Sequence, residues 1–154
     1  MPRSLSWKTV ERIRARWRRP FFIKGILHPV DVQLALDSGV DGVILGSHGG
    51  RQLDGSLCAL DVVRQARKIA DGKMSVALSG GIRRGTDMLK VLALGSDFVL
   101  CGRAPLYGLC AAGDRGVTKA LQILMNEAEN AMGQIGASSL ADLRPDILRR
   151  AHDS

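Results

Sequence analysis

The stretch Val43-Ile44-Leu45-Gly46-Ser47-His48-Gly49-Gly50-Arg51-Gln52-Leu53-Asp54, VILGSHGGRQLD, joins a short apolar run to a glycine-rich polar loop. An apolar run without polar alternation suits a strand buried on both faces, as in a parallel sheet. The same pattern recurs on either side of it. Phe21-Phe22-Ile23 ends at Lys24, Val76-Ala77-Leu78 at Ser79, and Phe98-Val99-Leu100 at Cys101.

The segments between the runs read as helices. Pro29 suits a first helical position, Val30/Leu34 and Val32/Leu36 follow at i, i+4, and Gly39 closes the segment. Leu60, Val63, Ala66 and Ala70 mark a second helix ending before Gly72. Thr86 is the expected cap of a third, with Leu89, Leu92 and Ala93 inward and Gly95 just past its end. Asp114 is the expected N-cap of the longest helix. Its stripe is Val117, Leu121, Leu124, Met125, Ala128, Met132 and Ile135, and Gly136 ends it. One further helix, roughly residues 6–18, precedes the first run. Strand and helix alternating in this way mean four βα units and a parallel sheet. A closed (β/α)₈ barrel needs about 250 residues, so this chain of 154 is either an open α/β sheet or half a barrel.

Composition narrows the function classes. The chain is 45% hydrophobic and has no run suited to a membrane span. Residues 1–8, MPRSLSWK, lack the apolar core of a signal peptide, which sets the expectation of a cytoplasmic protein. Cys58, Cys101 and Cys110 form no CxxC pair, and His28, His48 and His152 are scattered, so neither a disulfide framework nor a zinc site is expected. The net charge of +7 is concentrated at Arg12, Arg14, Arg16, Arg18 and Arg19. Opposite them Val10, Ile13 and Trp17 repeat at i, i+3, i+7, which predicts a solvated basic face and a buried apolar one. A nucleic-acid arm is disfavoured, because no aromatic platform accompanies the arginines.

Glycines and charges gather at the C-terminal ends of the runs, where parallel sheets and barrels place their sites. SGGIRRG, residues 79–85, lets backbone N–H groups approach an anion, aided by the positive end of the helix that follows. Arg83 or Arg84 can add a fork of donors to phosphate oxygens, and Gly102-Arg103 repeats the arrangement one strand later. His48 sits among small residues that leave it nothing local to pack against. With Arg51 three residues on, a proton acceptor and a carboxylate-binding fork share one strand end. Lys24, at a strand terminus, can neutralise an anionic cofactor or intermediate.

These segments together resemble the FMN-dependent 2-hydroxy-acid dehydrogenases and oxidases, a family that includes glycolate oxidase, lactate oxidase and mandelate dehydrogenase. The likeness runs from SLSWKTVERI through FFIKGI, GVDGVILGSHGGRQLDG and SGGIRRGTDMLKVLALGSDFVLCGRAPLYGL into the final helix. It implies a single partial domain over residues 1–154: the C-terminal half of a TIM (β/α)₈ barrel, four parallel βα units plus a long C-terminal helix.

The resemblance also implies roles. Lys24 would lie at the N1/O2 edge of the flavin and stabilise the reduced ring. His48 would be the catalytic base, and Arg51 would bind the substrate carboxylate. Ser79, Gly80, Gly81, Ile82, Arg83, Gly102 and Arg103 would hold the cofactor, FMN. The implied reaction oxidises a small 2-hydroxy acid to the 2-oxo acid, passing electrons through FMN to oxygen, a quinone or a cytochrome. The family's missing strands carry the Asp that orients the catalytic His, so a complementary half-barrel or a second copy of the chain is the expected partner. A non-catalytic remnant that at most binds FMN or another phosphate-bearing ligand is the alternative. The chain departs from the family pattern at Gly46 (usually Ser), Ser47 (usually Asn) and Ser79 (usually Asp). Each lost hydrogen bond to the cofactor weakens binding by on the order of 1 kcal/mol.

Overall fold

The computed structural model describes residues 5–149. Four strands form one parallel sheet in the order β1-β2-β3-β4: β1 Phe22–Ile26, β2 Gly42–Leu45, β3 Ser75–Ser79 and β4 Phe98–Leu100. The helices are α1 Trp7–Arg16, α2 Pro29–Asp37, α3 Ala59–Ala70, α4 Gly85–Ala93 and α5 Arg103–Gln134. This is the fold of a C-terminal half-barrel, with β1 and β4 as free edges.

Alternation along the strands sorts the side chains onto two faces. Val43, Leu45, Val76 and Leu78 point toward the helices and join Val32, Ala35, Val62, Val63 and Ala66 in the main core. Phe22, Ile44, Ala77 and Phe98 belong to the other set, which lies on the concave face. Registers confirm the sorting: Phe22 stands opposite Gly42, Ile44 opposite Ala77, and Ala77 opposite Phe98. Gly42 is needed where it is, because the Phe22 ring occupies the space a side chain there would take.

The lower, N-terminal ends of the strands are tied by a device used twice. Asp41, just before β2, accepts from the Phe21 N–H at 2.8 Å and from Arg14 at 3.0 Å. Asp97, just before β4, accepts from the Val76 N–H at 2.8 Å and from Arg67 at 3.1 Å through each oxygen. In each case an aspartate joins two neighbouring strands to an arginine brought in by a helix.

Several expectations need correction. β1 runs past Lys24 to Ile26, and its pairing shifts register between Lys24 and Ile26. The apolar side of α1 is not buried: no residue of that helix is, and Ile13 and Trp17 are 45% and 50% exposed. Only Trp7 and Val10 pack against the core, while Arg12, Arg16, Arg18 and Arg19 are solvated as expected. Leu60 is exposed at the start of α3, where Ala59, Val62 and Val63 are buried instead. Arg84, not Thr86, occupies the N-cap of α4. The Gly85 backbone fits directly against α5, leaving no room for a side chain and drawing the helix start forward.

The final helical segment begins at Arg103, eleven residues before Asp114. Its two arms meet at a kink where Ala112 and Gly113 leave helical geometry. Asp114 starts the second arm, accepting from the Arg115 N–H at 2.8 Å. Gly108 and Gly116 let the arms cross with backbones in contact. Of the expected stripe, Leu124 and Ala128 are buried, whereas Leu121, Met125 and Ile135 are exposed.

Candidate functional site

A cavity of about 670 Å³ opens at the C-terminal ends of the four strands. The ten residues to which the family resemblance gives roles all line it: Lys24 from β1, His48 and Arg51 beyond β2, Ser79 at the end of β3 with Gly80 to Arg83 beyond it, and Gly102 and Arg103 beyond β4. Residues separated by up to 79 positions thus converge because, Lys24 within β1 apart, each follows or ends a parallel strand. Gly49, Gln52, Leu100, Ala104 and Tyr107 also line the cavity. Tyr107, the chain's single tyrosine, carried no sequence signal because its helix was not anticipated.

Charge is distributed one way. Lys24, Arg51, Arg83 and Arg103 are on the wall and no carboxylate is. Among the described residues none of these four takes part in an ion pair. Uncompensated cations around a concavity raise the local concentration of anions and hold their charge. A phosphate-bearing anion such as FMN fits this donor set.

The loop after β3 has its donors engaged differently from the expectation. Asp87 of α4 accepts from the N–H groups of Arg83 and Arg84 at 3.1 and 3.0 Å. Glu127 of α5 accepts from the Gly85 N–H at 2.8 Å and from the Arg84 guanidinium at 3.0 Å. The positive end of α4 is therefore already answered by two carboxylates. These contacts, the Gly85 N–H first and Arg84 second, hold the Glu127 carboxyl below its ordinary value. Arg84 is turned to α5 and does not reach the cavity, so Arg83 is the loop's available fork. Gly80 and Gly81 adopt φ of 121° and 76°, which exposes backbone of the loop toward the cavity without side chains in the way.

His48 has a φ of 54°, followed by Gly49 at 70° and Gly50 at 75°. A left-handed backbone at a non-glycine residue stores strain of on the order of 1 kcal/mol or more, and such strain clusters at functional positions. Among the described residues no side chain bonds to the imidazole. Its neighbour is instead Gly25 of β1: a β-carbon there would stand 2.7 Å from His48 Cε1. Just past β2, a β-carbon at Gly46 would lie 2.7 Å from the Ser79 carbonyl oxygen. The small residue at this family-departing position matches a close approach of the two strand ends.

A family model described as FMN-dependent dehydrogenase matches residues 1–150. The chain belongs to this family. It is 45% identical to Oxidase FUB9 of Gibberella fujikuroi over 124 residues, covering 80% of the chain and 35% of that protein. Against the peroxisomal (S)-2-hydroxyacid oxidase GLO3 of Arabidopsis thaliana it is 41% identical, covering 97% of the chain and 41% of the relative. A flavocytochrome b2 variant with pyruvate bound superposes with a TM-score of 0.91 at 41% identity, covering 96% of this chain and 39% of that one. The chain therefore spans well under half the length of these relatives. Family membership makes FMN the expected cofactor and 2-hydroxy-acid oxidoreduction the family chemistry. No helix among the described residues is long and apolar enough to cross a membrane.

Proposed function

We propose that this chain is the ligand-binding C-terminal half of an FMN-dependent oxidoreductase that converts a small 2-hydroxy acid of the lactate, glycolate or mandelate type to its 2-oxo acid. The observation that carries the reading is the convergence of Lys24, His48, Arg51, Arg83 and Arg103 on one cavity free of carboxylates. Arg83 and Arg103, with the backbone from Ser79 to Ile82 and Gly102, bind the cofactor's phosphate and ribityl side. Lys24 holds negative charge at the β1 side of the cavity. Arg51 binds the substrate carboxylate through two parallel N–H donors, which orients the carbinol carbon. His48 accepts a proton as the alcohol becomes a carbonyl. Bound FMN supplies the acceptor for the two electrons released.

Two edge strands and an open concave face leave the barrel incomplete, and exposed edges invite pairing with further strands. A complementary half-barrel supplies the four strands needed to close it; a second copy of this chain is the other candidate. Mixing the chain with FMN and the first four βα units of a homologous L-lactate dehydrogenase tests the reading. The expected result is a yellow complex whose flavin absorbance bleaches anaerobically on addition of L-lactate, glycolate or mandelate. A complex that forms but stays colourless overturns it.

The absence, among the described residues, of any side chain bonded to His48 favours a second reading, a remnant that binds a phosphate-bearing ligand without turnover. Under it, FMN binds and every 2-hydroxy acid leaves the flavin oxidised.

A further inference from the structure

We propose that Gly25 is a positioning residue for His48, its bare α-carbon leaving the seat in which the imidazole rests at the cavity wall. The inference rests on the reading of His48 as a proton acceptor, and concerns how the ring is held.

Gly25 lies at the register shift of β1, between Lys24 and Ile26, with a φ of 97°. A bulge of this kind re-aims neighbouring side chains and is common beside active sites. Here it follows Lys24, whose side chain lines the cavity, and presents a bare α-carbon to the next strand's loop. Into that gap comes the His48 ring. From the position of a hypothetical Gly25 β-carbon, Cε1 is at 2.7 Å, Nδ1 at 3.6 Å and Nε2 at 3.7 Å. The near-equal nitrogen distances mean that the ring meets Gly25 edge-on through its Cε1–H. Both nitrogens flank the contact, and neither is blocked by it.

The contact explains how a side chain on a left-handed, glycine-flanked turn keeps one orientation. The imidazole of His48 has no hydrogen-bonding partner among the described residues, and Gly49 and Gly50 offer it no walls. The seat on β1 is a close steric restraint from a neighbouring strand. A side chain at position 25 fits only if the ring swings away, since the ring's far edge is the group in the way.

Proton NMR of the whole chain tests this without ligand. The expected result is a nuclear Overhauser contact between His48 Hε1 and the Gly25 α-protons, with a ring-current shift at Gly25 that His48→Ala abolishes. In Gly25→Ala the Hε1 resonance should move toward its position in the urea-unfolded chain, and the His48 titration midpoint should move with it. Backbone strain at residue 25 alone would lower the melting temperature without moving either. An absent Overhauser contact in the wild-type chain overturns the proposal, and so does an unchanged His48 spectrum in a folded Gly25→Ala. If Gly25→Ala does not fold, the wild-type contact and the His48→Ala shift decide the matter. His48→Gln turnover in the reconstituted complex separately tests whether the ring accepts a proton, so the seat and the role fail independently.

Discussion

Phe22 and Phe98 touch edge to face, with ring centroids 5.9 Å apart and planes at 60°, although they sit on the two outermost strands of the sheet. Three strand spacings of about 4.8 Å would separate flat edges by roughly 14 Å. The contact therefore requires strong curvature, of the sense that wraps a sheet around a barrel axis. It also means that the concave face is partly filled by the chain itself. Double-mutant analysis should find a favourable Phe22–Phe98 coupling of about 0.5–1.5 kcal/mol in urea unfolding. Independent, additive effects of Phe22→Ala and Phe98→Ala would show that the rings do not meet.

Asp97→Ala should destabilise the chain by about 1–3 kcal/mol, because it strands the Val76 N–H and releases Arg67. Asp97→Asn keeps one acceptor and should cost less. Denaturant midpoints with unchanged m-values check both.

Glu127 links the start of α4 to α5, and its carboxyl is held below the ordinary value by the Gly85 N–H and then by Arg84. A depressed folded-state pKa contributes stability that is present above the unfolded value and lost as pH falls through the folded one. Asp142 acts in the same sense, held low first by the Ser139 N–H and then by the Ser138 hydroxyl. Melting temperature should accordingly decline on acidification below the ordinary carboxylate range. Glu127→Gln should lower the melting temperature at neutral pH and flatten that decline. An unaltered slope in the variant would refute the assignment.

Gly116→Ala should cost about 1–3 kcal/mol by overpacking, since a β-carbon there meets the Gly108 backbone where the arms of α5 cross. Gly133→Ala, on the same helix with open space beside it, should be neutral or slightly stabilising. Thermal unfolding of the pair separates crowding from helix propensity.

Arg51→Lys should reduce affinity for oxalate or pyruvate in the FMN-loaded complex by about tenfold, roughly 1.4 kcal/mol, because an ammonium cannot reproduce the planar fork. Fluorescence titration of the flavin reads it directly. Equal affinity would remove Arg51 from the carboxylate site.

The strands and most helices were legible because parallel, doubly covered strands leave unbroken apolar runs and their loops carry glycine. The positions of the cavity residues followed from the same logic, as all but Lys24, which lies within β1, are at or just beyond a strand's C-terminal end. What was not legible depended on packing across the sequence. Thr86 has the chemistry of a cap, but Gly85 fits against α5 and Glu127 takes its N–H, so the helix starts earlier. Arg83 and Arg84 are equivalent in sequence, and only Glu127, 43 residues beyond Arg84, separates their roles. The first arm of α5 contains Pro105 and Gly108 and lacks a clean stripe, which hid it. The apolar side of α1 has a helical period but finds little in this chain to cover it.

The paired aspartate latches, Asp41 with Arg14 and Asp97 with Arg67, both lie at the lower rim, opposite the cavity. One end of the molecule is bolted and the other is furnished. Substitutions at the upper rim should therefore trade ligand preference with little loss of foldedness. Substitutions at the lower rim should change foldedness without changing preference. Such a division lets loops diversify above an undisturbed base, a freedom that the (β/α)₈ architecture grants to its catalytic face.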